Sequence, residues 1–498
     1  MHTQAYPPTG EWLLVDGRHV QRVGAGDPPE ADRTVDLPGA TIVPGFIDTH
    51  VHLTEVGLSL TNADVEASRS ASRLLEVVRR RVSEREGEHA PGALLMLGFD
   101  ESIWQDPRLP SMEDLDAACP WPLVIRRADG HMALANRIAF DAAGVADLPG
   151  VGRGADGGPT GVFTQRANAA LGLWAMASID DHACQDLQLQ AASLAASRGV
   201  TAVHEMSMPH WNGDRDLRVL LAHRSRLPVD TTPVVATTDL ATAMGNGLTS
   251  IGGDLPVDGS IGARTAWLSE PYADGGTGVG SVGDDELAEL FHGGHAAGLQ
   301  VGVHAIGDRA IDQVLATWER VYHALDSRER RHFRARRHRV EHFELVSRSQ
   351  IERAAMLGLA ASVQPAFDAT WGGPGGLYEQ ALGRPRAAGM NPFMTMVERG
   401  VEVGVGSDAP ITALDPIRAI VALERHHDAA QRFSRIEAIR LHTIGSARLG
   451  HQEAKKGGLA PGMHADFAAY DTDPFDAASL DDLRPALTVS LGREVFAS

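Results

Sequence analysis

The sequence predicts an α/β protein built on a (β/α)8 TIM-type barrel, with a small sheet domain made from both chain ends and a subdomain inserted after the first barrel strand. Three observations carry this. Eight short apolar runs alternate with helical patterns through the middle of the chain. Turn-punctuated alternating segments lie near both ends. The gap between the first two apolar runs, roughly residues 55–198, is far too long for one crossover helix.

The chain opens with Trp12 to Val15, a turn at Asp16-Gly17, His19 to Val23 and then Arg33 to Leu37, the alternation of a hairpin and a further strand. Ala465 to Tyr470 and Ala486 to Phe496 repeat that pattern, so residues 1–44 and 446–498 are expected to form one composite domain around a barrel at 45–445. The barrel strand candidates are Gly45 to His52, Val200 to Met206, Val229 to Thr237, Gly253 to Asp258, Leu299 to His304, His338 to His342, Leu359 to Gln364 and Val401 to Asp408. Within the insertion, Leu94 to Phe99 and Leu123 to Ile125 read as strands and Ala71 to Glu86 as a helix, with Gly/Pro punctuation from Pro149 to Gly161. This subdomain is expected to close over the barrel mouth.

Composition narrows the function. With 65 acidic against 45 basic residues and a net charge of −20, the surface suits neither nucleic acid nor an anionic membrane. The run Arg328 to Arg339 is the exception, and its seven arginines read as a solvated helix end and loop. Two cysteines, Cys119 and Cys184, support neither a disulfide framework nor a cysteine metal site. The first ten residues lack the basic and apolar regions of a secretion signal, and no apolar run approaches the roughly 18 residues of a membrane span, so a cytoplasmic enzyme is expected.

The polar residues that matter sit where strands end, the place where barrels keep their chemistry. His50 and His52 are two apart on a strand and point the same way, so both reach one ion. His304, His342 and Asp408 end the fifth, sixth and eighth strand candidates. Together they form a nitrogen- and oxygen-rich set of the kind zinc and similar divalent ions favour. Neither cysteine lies in a motif, and no Gly-x-Ser-x-Gly elbow offers a serine alternative.

Pro44 to His52, His304-Ala-Ile-Gly-Asp-Arg-Ala310, Arg339-Val-Glu-His342, Gly406-Ser-Asp-Ala-Pro410 and Gly458 to Asp466 together resemble the metal-dependent amidohydrolase superfamily. The resemblance is to its amidohydrolase 3, or YtcJ-like, branch, which includes N-substituted formamide deformylases. It spans essentially the whole chain and implies a (β/α)8 barrel, a β-sandwich built from both termini, and ligands at His50, His52, His304, His342 and Asp408. It also implies that Asp408 shuttles the proton. Related sequences often carry a carboxylated lysine that bridges two metals four residues before the Asp-Gly of a segment like Asp258 to Ala266. This chain has Asp254 there, whose shorter carboxylate bridges a closer pair, binds one ion or stands aside. A single strongly held ion is favoured over a pair, zinc is the expected metal, and manganese or iron(II) are alternatives. Glu205 is a substitute ligand candidate, or a partner to a ligating histidine. His131, in Asp129 to Asn136, resembles a family segment and is a candidate hydrogen-bond donor to the substrate carbonyl.

A divalent ion with an open position activates water and polarises a carbonyl, so the expected reaction is hydrolysis of an amide, formamide or cyclic amide C–N bond in a small molecule. A lyase, decarboxylase or isomerase on the same metal is the alternative, and a non-catalytic scaffold stands behind both. Asp308 and Arg309 read as an ion pair near the site, and Trp104, Phe163, Phe367 and Trp371 as pocket lining or core. A homodimer fits the family.

Overall fold

The computed structural model describes residues 10–61, 63–84, 93–127, 132–209, 213–475, 480 and 483–498. The chain is a mixed α/β protein of two compact units, one comprising Met1–His52, Ala192–Met208 and His223–Ser498, the other Leu53–Ala191 and Pro209–Ala222. Among the described residues no helix is long and apolar enough to cross a membrane.

The first unit begins with the hairpin β1 (Trp12–Asp16) and β2 (His19–Gly24), turning at Gly17 with φ +55°, a conformation that glycine adopts without a Cβ clash. Arg33 to Leu37 alternates as expected of a strand but forms none. The chain turns at Pro38-Gly39, and β3 (Thr41–Pro44) takes the backbone partners instead. β4 (Phe46–Val51) follows, buried along its whole length.

The second unit is built on a five-stranded sheet of β5 (Leu94–Phe99), β6 (Leu123–Arg127), β7 (Met132–Ala135), β8 (Val151–Arg153) and β9 (Pro159–Thr164), in the order β5-β6-β7-β9-β8. Period-two alternation explains its two faces. Leu94, Met96, Leu123 and Ile125 pack with Leu74 and Val78 of the helix Ala71–Glu84, while Leu95 and Val124 pack with Phe140, Phe163 and Leu171 on the other side. Helix Met112–Ala118 is started by a capping box, Ser111 with Asp114. Trp104 and Phe163 belong to these cores.

Back in the first unit, β10 (Val200–Ser207) pairs in parallel with β4 and with β11 (Asp230–Val235). A second parallel sheet runs β12 (Ser250–Ile251), β13 (Gln300–Ala305), β14 (Arg339–His342), β15 (Ala360–Val363) and β16 (Glu402–Val405) in chain order. Helices Asp284–Ala296, Asp308–Ala324, Arg348–Leu357 and Phe393–Glu398 fall between those strands. The Gly252 N–H donates to Val235 O (2.8 Å), Asp408 N–H to His50 O (2.8 Å) and His52 N–H to Ala409 O (3.0 Å). Backbone bonds thus run from β11 to the residue after β12 and from the loop after β16 back to β4.

One strand lies elsewhere than the sequence suggested. Gly253 to Asp258 is not a strand; β12 lies just before it, because Gly252 and Gly253 take φ +84° and +56° and end the extended run. The arginine-rich run is mostly the capped helix Ser327–Arg336, but Arg339 is buried in β14 rather than solvated. At the C-terminus β17 (Phe467–Tyr470), β18 (Leu487–Ser490) and β19 (Arg493–Ala497) extend β3 into the antiparallel sheet β19-β18-β17-β3. Val20, Phe467, Leu487 and Val489 form its core, against which Leu13 and Val15 of the hairpin pack.

Candidate metal centre

Six of the sequence's candidate residues meet in the first unit, five at or just past a strand end and Asp254 on the loop after β12. His50 lies in β4 and His52 just beyond it, on the same face. His304 is in β13, and His342 closes β14 with φ +71°. Asp408 follows β16 with φ +53°, and Asp254 follows the two glycines after β12. Left-handed backbone at a non-glycine residue costs on the order of 1–3 kcal/mol and persists where the surroundings over-determine it. The backbone of Gly406 also passes so close that a Cβ there would fall 2.7 Å from His50 Cβ, so only glycine lets this loop reach the site.

The inward nitrogens converge on two carboxylates. Asp408 Oδ1 lies 3.1 Å from His52 Nε2 and 3.3 Å from His50 Nε2. Asp254 Oδ1 lies 3.2 Å from both His304 Nδ1 and His342 Nε2 and 3.6 Å from His50 Nε2, while its Oδ2 is 3.6 Å from His52 Nε2.

The outward nitrogens face acceptors that cannot donate. His50 Nδ1 meets Glu341 Oε2 at 3.0 Å, and His52 Nδ1 meets Met206 O at 2.9 Å. His342 Nδ1 meets the Gln364 side-chain oxygen at 2.9 Å, and His304 Nε2 meets Gly259 O at 3.4 Å. Each outward nitrogen therefore carries the ring proton, and in a neutral imidazole the inward one presents a lone pair. Lone pairs aimed at carboxylates repel unless a cation lies among them or the rings are protonated. His50 Nε2, buried and without a hydrogen-bond partner, marks the place. This donor set fits a divalent ion, and the same residues fall into overlapping metal-ligating groups.

The electrostatics express the same tension. Burial lowers the His50 pKa, but Asp254 and Asp408 outweigh it and hold it well above the ordinary imidazole value. His304 is raised to about 9, burial again overcome by Asp254. His342 is pushed down by burial and by His304. Burial opposes ionisation of Asp254 and Asp408, yet the histidines hold both below the usual carboxylate range.

Several residues around the centre carry parts that the sequence reading did not give them. Glu341 is fully buried and receives two bonds from Arg339, Nε to Oε1 at 2.8 Å and a terminal nitrogen to Oε2 at 2.9 Å. Asp258 accepts from the N–H groups of Ile306 (3.0 Å), Gly307 (2.8 Å) and Trp267 (2.8 Å), pinning the loop after β13. The available signal was acidic and basic residues inside otherwise apolar strand segments, where charge survives only when paired. Phe367 stacks on His342 (centroids 6.0 Å apart, 10° between planes) with Trp371 beside it. Asp308 and Arg309 do not pair with each other: Asp308 accepts from Ser269, and Arg309 lies over the Trp267 ring. Glu205 is buried in β10 opposite Val51. His131 lies outside the described residues.

Over residues 33–496 the sequence matches the pattern described as "Amidohydrolase family". It is 29% identical to the putative amidohydrolase YtcJ of Bacillus subtilis, over 94% of this chain and 91% of the relative. It is 25% identical to an N-substituted formamide deformylase of Arthrobacter pascens, over 96% and 91%. Among solved structures, an uncharacterized metal-dependent hydrolase from Pyrococcus furiosus superposes with a TM-score of 0.77 at 27% identity, covering 93% of this chain and 95% of that one.

Proposed function

This chain belongs to the amidohydrolase family, and from that premise we propose that it is a metal-dependent hydrolase that cleaves an amide-like C–N bond of a small molecule. The observation that carries the reading is the orientation of four imidazoles, each anchored outward through one nitrogen and turned inward with the other onto Asp254 and Asp408. N-substituted formamides are the first substrates to try, because one relative of similar length is named for deformylating them.

A divalent ion bound here, zinc on this reading, would supply Lewis acidity, drawing the pKa of water from about 15.7 toward roughly 7 and polarising a carbonyl. His50, His52, His304, His342, Asp254 and Asp408 would hold it. Asp408, kept ionised by the histidines around it, accepts the proton of the attacking water and passes it to the leaving nitrogen as the C–N bond breaks. His131 is assigned the donor role toward the substrate carbonyl. The parallel strands β4 and β10 to β16 are read as a (β/α)8 barrel, supported by the backbone bonds that lead from Ala409 and Asp408 back to β4. The composite terminal sheet and its hairpin are read as the sandwich, and residues of the second unit as the inserted subdomain.

The test is hydrolysis of N-alkyl formamides in ¹⁸O-labelled water by protein loaded with zinc, manganese or iron(II). Label in the released formate supports the hydrolase; turnover of a panel of carbonyl substrates without label favours a lyase, decarboxylase or isomerase. Metal analysis with Asp254→Ala counts the ions: about two equivalents falling to one makes Asp254 a bridge, whereas one equivalent unchanged makes the centre mononuclear.

A further inference from the structure

The four imidazoles are not held alike. His52 hydrogen-bonds a backbone carbonyl and His342 a side-chain amide oxygen, both neutral; His304 hydrogen-bonds the Gly259 carbonyl, with the Asp258 carboxylate 3.7 Å away, beyond hydrogen-bond reach. His50 rests on the carboxylate of Glu341. That carboxylate is fully buried and is met on both oxygens by the Arg339 guanidinium, at 2.8 and 2.9 Å. Arg339 is fixed in turn. Its guanidinium donates to both Glu341 oxygens, to His204 Nδ1 at 2.8 Å and to Thr49 O at 2.8 Å, the residue just before His50. Arg339 and Glu341 share a strand face two residues apart, and the fork ties β14 to β4 and β10 beneath the centre.

We propose that Glu341, clamped by Arg339, is a positioning residue that makes His50 the anchoring ligand of the centre, the imidazole whose orientation contributes most to holding the ion. A carboxylate partner fixes the tautomer and raises the basicity of a ligating ring more than a carbonyl does, and such partners typically carry 10–100-fold in metal affinity. His342 with Gln364 is the internal control: Glu341→Gln gives His50 the kind of partner that His342 already has.

The inference rests on the metal-binding reading above, and its test needs no substrate. Zinc affinity is measured by chelator competition on wild type, Glu341→Gln and the double variant Arg339→Met/Glu341→Gln, the last leaving no unpaired buried charge if the single variant fails to fold. The expected result is zinc held about 10–100-fold more weakly and released faster, with a smaller rise in melting temperature on adding zinc. A purely structural pair would lower the melting temperature of metal-free and metal-loaded protein equally and leave the affinity alone. Wild-type affinity in a folded variant overturns the proposal while leaving the hydrolase reading intact. A wild-type protein with no zinc affinity overturns the metal reading itself.

Discussion

Among the described residues, two places in the first unit gather histidines and aspartates within ligand distance: the candidate centre at the strand ends, and a cluster of Asp368, His426 and His427. Residue type and spacing do not distinguish them, but the count of hydrogen-bond partners does. His426 Nδ1 accepts the Asp428 N–H at 3.1 Å, so its proton lies on Nε2 and goes to Asn391 O at 2.9 Å. His427 donates from Nδ1 to Asp368 Oδ1 at 2.5 Å and from Nε2 to Ala388 O at 3.3 Å. Each ring nitrogen there already has a partner in the chain. At the strand ends four rings turn inward onto two carboxylates, and His50 Nε2 has no hydrogen-bond partner. A cluster that completes its own hydrogen bonds is built as a clamp, and one that leaves a buried nitrogen without a partner is the stronger candidate site.

The largest effect that sharpens this contrast is expected from Asp408→Asn. It keeps the size of the side chain but removes the base, so kcat should fall about 10²–10⁴-fold with KM changed far less; an unchanged kcat would remove Asp408 from proton transfer. His304→Ala should come next, with bound metal and activity falling together by at least about 10–100-fold in affinity, and full retention of both would take His304 out of the centre. In the clamp the opposite is expected. Asp368→Asn should leave metal content untouched and cost about 1–3 kcal/mol of stability in denaturant unfolding, because it weakens a buried charged hydrogen bond. Loss of metal from that variant would erase the distinction.

The candidate ligands other than Asp254 were legible because each is a side chain at a recognisable strand end, and an imidazole at the close of an apolar run has few reasons to be there. What orients them was not. The partners of His52 and His304 are the carbonyls of Met206 and Gly259, and a backbone oxygen leaves no mark in the letters of a sequence. Glu341 and Gln364 do leave one, but their meaning depends on which rings they face across 291 and 22 positions of chain. The strand assigned to Gly253–Asp258 failed for a local reason, since apolar letters cannot outweigh two consecutive glycines with positive φ. The same mistake concealed how Asp254 reaches the centre: it sits on a loop, free of strand pairing, where a short carboxylate extends to several rings.

The smallest expected effect concerns pH, and it belongs to the clamp. The hydrogen bond to Asp368 raises the pKa of His427 above 6.5, more than its partial burial lowers it. Burial would raise Asp368, but His427 and His426 hold it below 3.8. A raised histidine contributes stability that is full below 6.5 and lost as pH climbs through its folded value, and a lowered aspartate contributes stability that is full above 3.8 and lost as pH falls through its own. The pair therefore stabilises most between those limits. Across about pH 5 to 9, the melting-temperature gap between wild type and His427→Gln should be widest at the acid end and narrow as the imidazolium discharges. A gap constant with pH would mean that His427 is neutral throughout. One of its ring nitrogens would then be a lone pair facing an acceptor, and the clamp would have the unmet valence that marks the candidate metal centre.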